Sequence, residues 1–117
     1  MINDEQFKSE MDKALFHFKN QNYLKSIQIL EVLKNKRDHF LIFWYLGHSF
    51  FRVHNYNSAI NCIKKSIKLK KPDHLNLNFL AEIYHRINRY DESIKLFKEA
   101  LVLDKKNTVT LFNLANI

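Results

Sequence analysis

The chain is poor in the residues on which tight turns and covalent cross-links depend. Its 117 residues include one glycine, one proline and one cysteine. A β-sandwich or barrel needs many tight turns, so the scarcity of Gly and Pro argues against both architectures. The single cysteine, Cys62, cannot close an intrachain disulfide, and no spacing of Cys and His is typical of a zinc site. We therefore expect no metal, no cofactor and a reducing environment.

Long apolar runs are absent as well. The longest one, Phe40 to Leu46, is far shorter than the roughly 20 residues that cross a bilayer. The first segment, Met1 to Leu15, mixes charged side chains with isolated apolar ones, so it lacks the apolar centre of a signal peptide. These features predict a protein without a membrane span, located in the cytoplasm.

The charge balance is basic, with a formal net charge of +7. Clustered Lys and Arg can attract phosphates or anionic lipid through counterion release. Here the basic residues are spread over most of the predicted helices rather than along one stripe, which disfavours nucleic acid as a partner.

What the chain does contain is an internal repeat. Tyr23, Tyr56 and Tyr90 are each followed by a small residue three positions later and by Ile four positions later, in segments 22–27, 55–60 and 89–94. A second pattern repeats with the same period. Residues Phe43, Leu46, Gly47 and Phe50 recur as Leu77, Leu80, Ala81 and Tyr84, with the separation that also divides Tyr56 from Tyr90.

Each repeat is predicted to form two helices, which we term A and B. Residues 43, 46, 47 and 50 follow helical spacing, and so do residues 60, 63 and 67 after the break near residue 55. Glycine inside a helix costs about 1 kcal/mol relative to alanine. Gly47 therefore predicts that helix B approaches helix A too closely for a larger side chain.

These patterns resemble the tetratricopeptide repeat, whose signature is W-x2-L-G-x2-Y, then A-x3-F, then P. Residues 43–50, Ala59-x3-Ile63 and Pro72 match it in the middle repeat, and the first repeat matches least well. The resemblance implies an all-α, right-handed solenoid of helix-turn-helix repeats in one domain, 1–117. The predicted repeats are 4–37, 38–72 and 73–106, followed by a final A helix in 107–117.

The resemblance also implies that the A helices line a concave groove. The groove side of the second and third A helices holds aromatic and polar side chains suited to a partner segment. The candidate partner-binding residues are Trp44, Tyr45, His48, Phe51, Arg52, Phe79, Glu82, His85 and Arg86. We therefore predict a module that binds a protein or peptide. The alternatives are the repeat part of a longer protein, such as an enzyme, and a basic surface for nucleic acid.

Several partners and activities are disfavoured by residue type. One subgroup of the family binds the acidic tails of heat-shock chaperones through Lys, Asn and Arg. The resemblance places Met11, Leu15, Tyr45, Leu75 and Phe79 at those positions, and none has the required charge or amide. No phosphate loop or nucleophile motif supports an enzyme. The apolar C-terminal helix favours self-association through this end of the chain.

Overall fold

The computed structural model describes all residues from Met1 to Ile117, and every regular element in it is an α-helix. The seven helices are α1 (Asp4–Lys19), α2 (Tyr23–Leu33), α3 (Phe40–Arg52), α4 (Tyr56–Lys70), α5 (His74–Arg86), α6 (Tyr90–Leu103) and α7 (Thr108–Ala115). Helices α1, α3, α5 and α7 take the A positions, and α2, α4 and α6 take the B positions. None of them combines the length and apolar character that crossing a membrane would require.

The starts of the A helices are fixed by side chains that accept hydrogen bonds from otherwise unpaired backbone N–H groups. Asn3 and Gln6 form a capping box at α1, and Asp73 forms one with Asn76 at α5. At α7 the side chain of Asn107 accepts a hydrogen bond from the backbone N–H of Thr110. At α3 the cap is His39, whose ring Nδ1 accepts a hydrogen bond from the backbone N–H of Leu41 at 3.1 Å. Side-chain capping therefore recurs at the start of each A helix, through Asn, His or Asp.

The chain forms two compact units, Met1–Lys70 and Lys71–Ile117. In the first unit, α3 packs against α1, α2 and α4. One core cluster consists of apolar side chains from the first three helices, and α4 adds Ala59, Ile60 and Ile63 to the buried core: the cluster is Met11, Ala14, Leu30, Leu33, Ile42 and Leu46. Because α3 has neighbours on several sides, most of its circumference is covered.

The packed surface of α3 is broader than the side marked by the repeat pattern. Leu46 and Gly47 are buried, Phe43 and Phe50 pack against the core while partly exposed, and Ile42 and Ser49 are fully buried as well. The reason is that α3 has two packed sides. Ile42 and Leu46 belong to the core cluster with α1 and α2, whereas Gly47 lies against α4.

The contact at Gly47 confirms the close approach of helices A and B. A Cβ atom built at this position would lie 2.6 Å from Cγ1 of Ile63, nearer still to its Cδ1, and 3.4 Å from the carbonyl oxygen of Ala59. Ile63 and Ala59 are themselves fully buried. Since the φ of Gly47 is not positive, the packing of α3 on α4 requires this glycine and the backbone conformation does not.

The start of the chain is fastened to the α2–α3 connection by Arg37. Its Nη2 donates hydrogen bonds to the carbonyl oxygen of Ile2 at 3.0 Å and to Oδ1 of Asp4 at 2.9 Å. Its guanidinium also lies 4.4 Å from the centre of the Phe7 ring, a cation–π contact. These contacts join segments that are distant in sequence and orient α1 within the first unit.

In the second unit, α6 packs against both α5 and α7. Its core is formed by the buried side chains Leu77, Leu80, Ala81, Ile83, Tyr84, Phe97 and Ala100. Two buried hydroxyls have partners here: Ser93 Oγ donates to the Ala81 carbonyl at 2.8 Å, and Thr110 Oγ1 lies 2.9 Å from Oδ1 of Asn78. The first bond joins α6 to α5, and the second joins α7 to α5.

Candidate partner-binding site

In the first unit, aromatic side chains of α1, α2 and α3 meet in a continuous cluster. Phe18 of α1 lies edge-on to Tyr45, with 5.2 Å between ring centroids, and to His48, at 6.2 Å. The Trp44 ring is 4.5 Å from the His48 ring, and the Tyr23 ring is 5.5 Å from the Phe18 ring. We call Phe18, Tyr23, Trp44, Tyr45 and His48 the aromatic cluster. Edge-to-face pairs of this kind favour one fixed arrangement of the rings.

The aromatic cluster combines rigidity with access to solvent. All five of its members are partly exposed, although Nε2 of His48 is itself buried. Phe18 and Tyr23 were not among the candidate residues, although Phe18 occupies the position in the first repeat that Phe51 occupies in the second. The repeat register was therefore the signal that identifies Phe18. Tyr23 is the repeated tyrosine itself, whose contact with Phe18 depends on tertiary packing.

Two further candidates, Phe51 and Arg52, lie beside this cluster at the end of α3. The guanidinium of Arg52 is exposed and lies 5.4 Å from the centre of the Tyr23 ring. Phe51 is partly exposed, and its ring is 5.7 Å from that of Tyr56. The first unit thus presents aromatic surface with a permanent positive charge at its edge.

His48 is neutral at physiological pH. Burial, and to a smaller extent the positive charge of Arg52, lowers its pKa from the usual 6.5 to about 4. A neutral imidazole between two aromatic rings extends the aromatic surface without adding charge. No group of three or more His, Cys, Asp or Glu side chains in the structure is arranged to hold a metal ion.

In the second unit, three of the four candidates line a common pocket of about 140 Å³ formed by α5, α6 and the C-terminal segment. The pocket-lining residues are Glu82, His85, Arg86, Phe97, Asn113, Asn116 and Ile117. Charged and amide groups surround an apolar base, so the pocket can donate hydrogen bonds to polar groups and accept hydrogen bonds from them. Asn113 and Asn116 were not among the candidates. They occupy the matching face of the final A helix.

The fourth candidate of the second unit, Phe79, differs from the others because only 8% of its surface is exposed. Its ring belongs to the buried core and offers a partner little area. The candidate residues of each unit are thus Trp44, Tyr45, His48, Phe51 and Arg52 in the first, and Glu82, His85 and Arg86, with the buried Phe79, in the second.

Paired helices, small residues at the contacts between them, and partly exposed aromatic side chains on the A helices are typical of one class of helical repeat proteins. Residues 44–116 match the family model described as tetratricopeptide repeat protein 21, fourth ARM domain. This match covers more than half of the chain, and the chain belongs to that tetratricopeptide repeat family.

The chain is similar in sequence to part of one known protein and in structure to several others. The Yellow-related salivary protein M10 of Phlebotomus duboscqi is 38% identical over 74 residues, which make up 61% of this chain but only 18% of that protein. The first TPR of Spaghetti (RPAP3), solved with the HSP90 peptide SRMEEVD, has a TM-score of 0.88 at 13% identity. The match covers 98% of this chain and 92% of the RPAP3 chain.

A second solved structure, PcrH in complex with the chaperone binding region of PopB, has a TM-score of 0.82 at 12% identity. The match covers 98% of this chain and 94% of the PcrH chain. At these identities the likeness establishes the fold alone, and it confirms the predicted all-α solenoid class of tetratricopeptide type. Both comparison proteins were solved in complex with a peptide or a segment of another protein.

Proposed function

We propose that the protein is an interaction module whose A helices hold an extended or helical segment of a partner protein. The observation that carries this proposal is the aromatic cluster, four of whose five paired rings belong to the A helices α1 and α3 and the fifth, Tyr23, to the start of α2; all remain partly open to solvent. Aromatic side chains of this kind contribute large contact areas at low entropic cost and dominate binding energies at protein interfaces.

The cluster and its surroundings favour a particular partner chemistry. Aromatic and aliphatic anchors of the partner would pack on Trp44 and Tyr45. An acidic side chain would pair with the exposed guanidinium of Arg52. In the second unit, the pocket lined by Glu82, His85 and Arg86 would bind polar groups of a partner segment. Tetratricopeptide domains such as those of RPAP3 and PcrH bind peptides or segments of their partners, which is consistent with this proposal.

The proposal assigns no catalytic role and places the module in the cytoplasm. It also leaves out acidic chaperone tails. Of the positions that would have to contact such a tail, Met11 and Phe79 are buried in the core, and Leu75 is an exposed aliphatic side chain. None of these three supplies the cation or amide that a carboxylate requires.

The proposal is tested with peptides selected from a random phage-displayed library on the immobilised full chain. A selected peptide is synthesised, and its affinity is measured by the change in fluorescence of Trp44, the only tryptophan. Trp44→Ala is expected to weaken binding by about 2 kcal/mol, the usual scale for an aromatic hot spot. Its affinity is measured by calorimetry, and its circular dichroism should stay unchanged, since Trp44 lies outside the buried core.

The control is charge reversal at Lys64 and Lys65 on α4, a B helix, which should leave the affinity for the same peptide unchanged. If selected peptides bind Trp44→Ala as tightly as the original chain but lose affinity on reversal of the two lysines, the A-helix surface is not the site. Failure to select any peptide with aromatic or aliphatic anchors would equally contradict the proposal.

We also propose that the chain self-associates through α7. Val109, Leu111 and Phe112 are exposed on this helix, with 67% of Phe112 accessible. The segment from Asn107 to Ile117 has no charged side chain, so two copies can approach without like-charge repulsion. The occupant proposed for this apolar surface is therefore a second copy of the same helix.

Light scattering over a range of concentrations tests this second proposal. Phe112→Asp should shift the chain to monomer, because it places two charges in the symmetric contact. Leu24→Asp is the matched control, since Leu24 on α2 is 66% exposed and lies outside the proposed contact. A strict monomer at the highest concentrations, or an equal effect of both substitutions, would exclude self-association through α7.

A further inference from the structure

The net positive charge of the chain lies mostly in residues 39–72, within the middle repeat. Between Asp38 and Asp73 there is no acidic residue, while residues 39–72 contain five lysines and Arg52. This stretch therefore accounts for a formal charge of +6 out of the total of +7. Although basic residues occur on most helices, this is the longest stretch that lacks acidic residues to balance them. Four of its five lysines lie on one helix.

That helix is α4, and its outer face is polar along its whole length. Asn57, Asn61, Lys64 and Lys68 are exposed and follow one another at spacings of four and three positions. Lys65 lies next to this line, with 42% of its side chain exposed and its Nζ 3.7 Å from Oδ2 of Asp38. We call Lys64, Lys65 and Lys68 the lysine patch. They are placed within about 6 Å along the helix axis.

We infer that the lysine patch of α4 binds the surface of an anionic lipid membrane. Lysines near an anionic bilayer each contribute roughly fivefold to the partition coefficient at moderate salt, and the contributions accumulate. The opposite face of α4 is buried through Ala59, Ile60 and Ile63, so the helix cannot insert. Binding is peripheral and electrostatic, with the fold unchanged.

Features of α4 favour lipid over other polyanions. The helix contains no arginine, the residue that best suits bidentate recognition of phosphates and bases. Its one aromatic residue, Tyr56, lies at its first position, where its ring is partly buried and contacts the rings of Phe51 and His54, so it offers little surface for base stacking. The polar line also lacks the apolar anchors that a protein interface needs. A diffuse anionic surface requires none of these groups.

The experiment is co-sedimentation of the full chain with phosphatidylcholine vesicles, with and without a third of phosphatidylserine. At about 0.1 M salt, where the Debye length is about 10 Å, binding is expected only to the vesicles containing phosphatidylserine. The triple variant Lys64→Gln, Lys65→Gln and Lys68→Gln should lower the partition coefficient by about 100-fold, as the loss of three fivefold contributions requires. Circular dichroism confirms that the variant is folded.

A matched control removes the same number of charges elsewhere. Lys95, Lys98 and Lys105 are all exposed in the second unit. Their replacement by Gln gives the same net charge, and it should lower the partition coefficient by less than fivefold. An equal loss in both triple variants would show that net charge alone drives binding and would overturn the inference.

Two further outcomes would also overturn the inference. One is the absence of binding to phosphatidylserine vesicles. The other is tighter, patch-dependent binding of an oligonucleotide, which would assign the lysine patch to nucleic acid. Neither outcome bears on the peptide site, since Trp44 and Lys64 lie on different helices.

Discussion

Adding a single methyl group at Gly47 tests the packing of α3 on α4. The new Cβ would lie 2.6 Å from Ile63 Cγ1, whereas carbon atoms in ordinary contact are about 3.5 to 4.0 Å apart, so the Ile63 side chain must retreat by about 1 Å. Ile63 is fully buried, and a β-branched side chain in a helix has one strongly preferred rotamer. It therefore has neither space nor an alternative conformation.

Two opposing effects determine how Gly47→Ala changes the free energy of unfolding. Replacing a helical Gly by Ala favours the helix by about 1 kcal/mol. Overpacking a close contact costs about 1 to 3 kcal/mol. We expect Gly47→Ala to lower the free energy of unfolding by about 1 kcal/mol, and Gly47→Leu to lower it by about 2 kcal/mol or more. Lys68→Ala, at an exposed position of α4, should change it by less than about 0.5 kcal/mol.

Urea unfolding followed by Trp44 fluorescence measures these values, because Trp44 lies on α3 itself. The decisive comparison is Gly47→Ala in the background of Ile63→Ala, which removes the obstructing atoms at a cost of about 2 to 5 kcal/mol. There the alanine at position 47 should stabilise the protein by about 1 kcal/mol, giving a coupling of about 2 kcal/mol between the two sites. Stabilisation by Gly47→Ala in both backgrounds would refute the contact.

The other predictions concern buried polar groups. The pKa of His48 is about 4 in the folded chain and 6.5 in the unfolded chain, so the unfolded chain binds a proton more readily. The free energy of unfolding therefore falls by up to about 3 kcal/mol as the pH drops from 6.5 towards 4. His48→Gln should flatten the urea midpoint over that range, and an unchanged slope would contradict the burial of this imidazole. Ser26→Ala should stabilise the protein by about 1 kcal/mol because the Ser26 hydroxyl is fully buried without a hydrogen-bond partner. Ser93→Ala should destabilise the protein by a similar amount because the Ser93 hydroxyl donates to the Ala81 carbonyl. Thermal melts of these two variants with the same sign would show that the hydroxyls are equivalent. Burial raises the pKa of the Cys62 thiol to about 11, so its alkylation at pH 8 should be about 100-fold slower than that of a free cysteine, and equally fast labelling would contradict its burial.

The helices and their caps could be predicted from the sequence because both depend on neighbouring residues. Asn3 with Gln6, Asp73 with Asn76, and Asn107 cap their helices through hydrogen bonds that span only three residues. The repeated motif around Tyr56 marks the start of a B helix, and Gly47 indicated a close helix contact whose partner, Ile63, lies in the matching position of helix B. The candidate residues on α3 also share one face, since helical spacing determines it.

The rest depends on residues that are distant in sequence. Phe18 and His48 belong to different repeats, and their contact requires the particular crossing of α1 over α3, which no local pattern specifies. The same crossing removes water from His48 and lowers its pKa. The packing of α3 on several helices likewise buried Ile42 and Ser49 and left Phe43 partly exposed.

By itself, the sequence determined the all-α class, the repeat period marked by Tyr23, Tyr56 and Tyr90, and the small residues that permit close helix pairs, because helical periodicity and steric demand are local properties. Only the tertiary structure decided which rings meet in the aromatic cluster, which hydroxyls are satisfied and which lysines share the outer face of α4. These features follow from the angles and distances at which whole helices pack. Those angles and distances are set by the sum of many side-chain contacts rather than by any single segment.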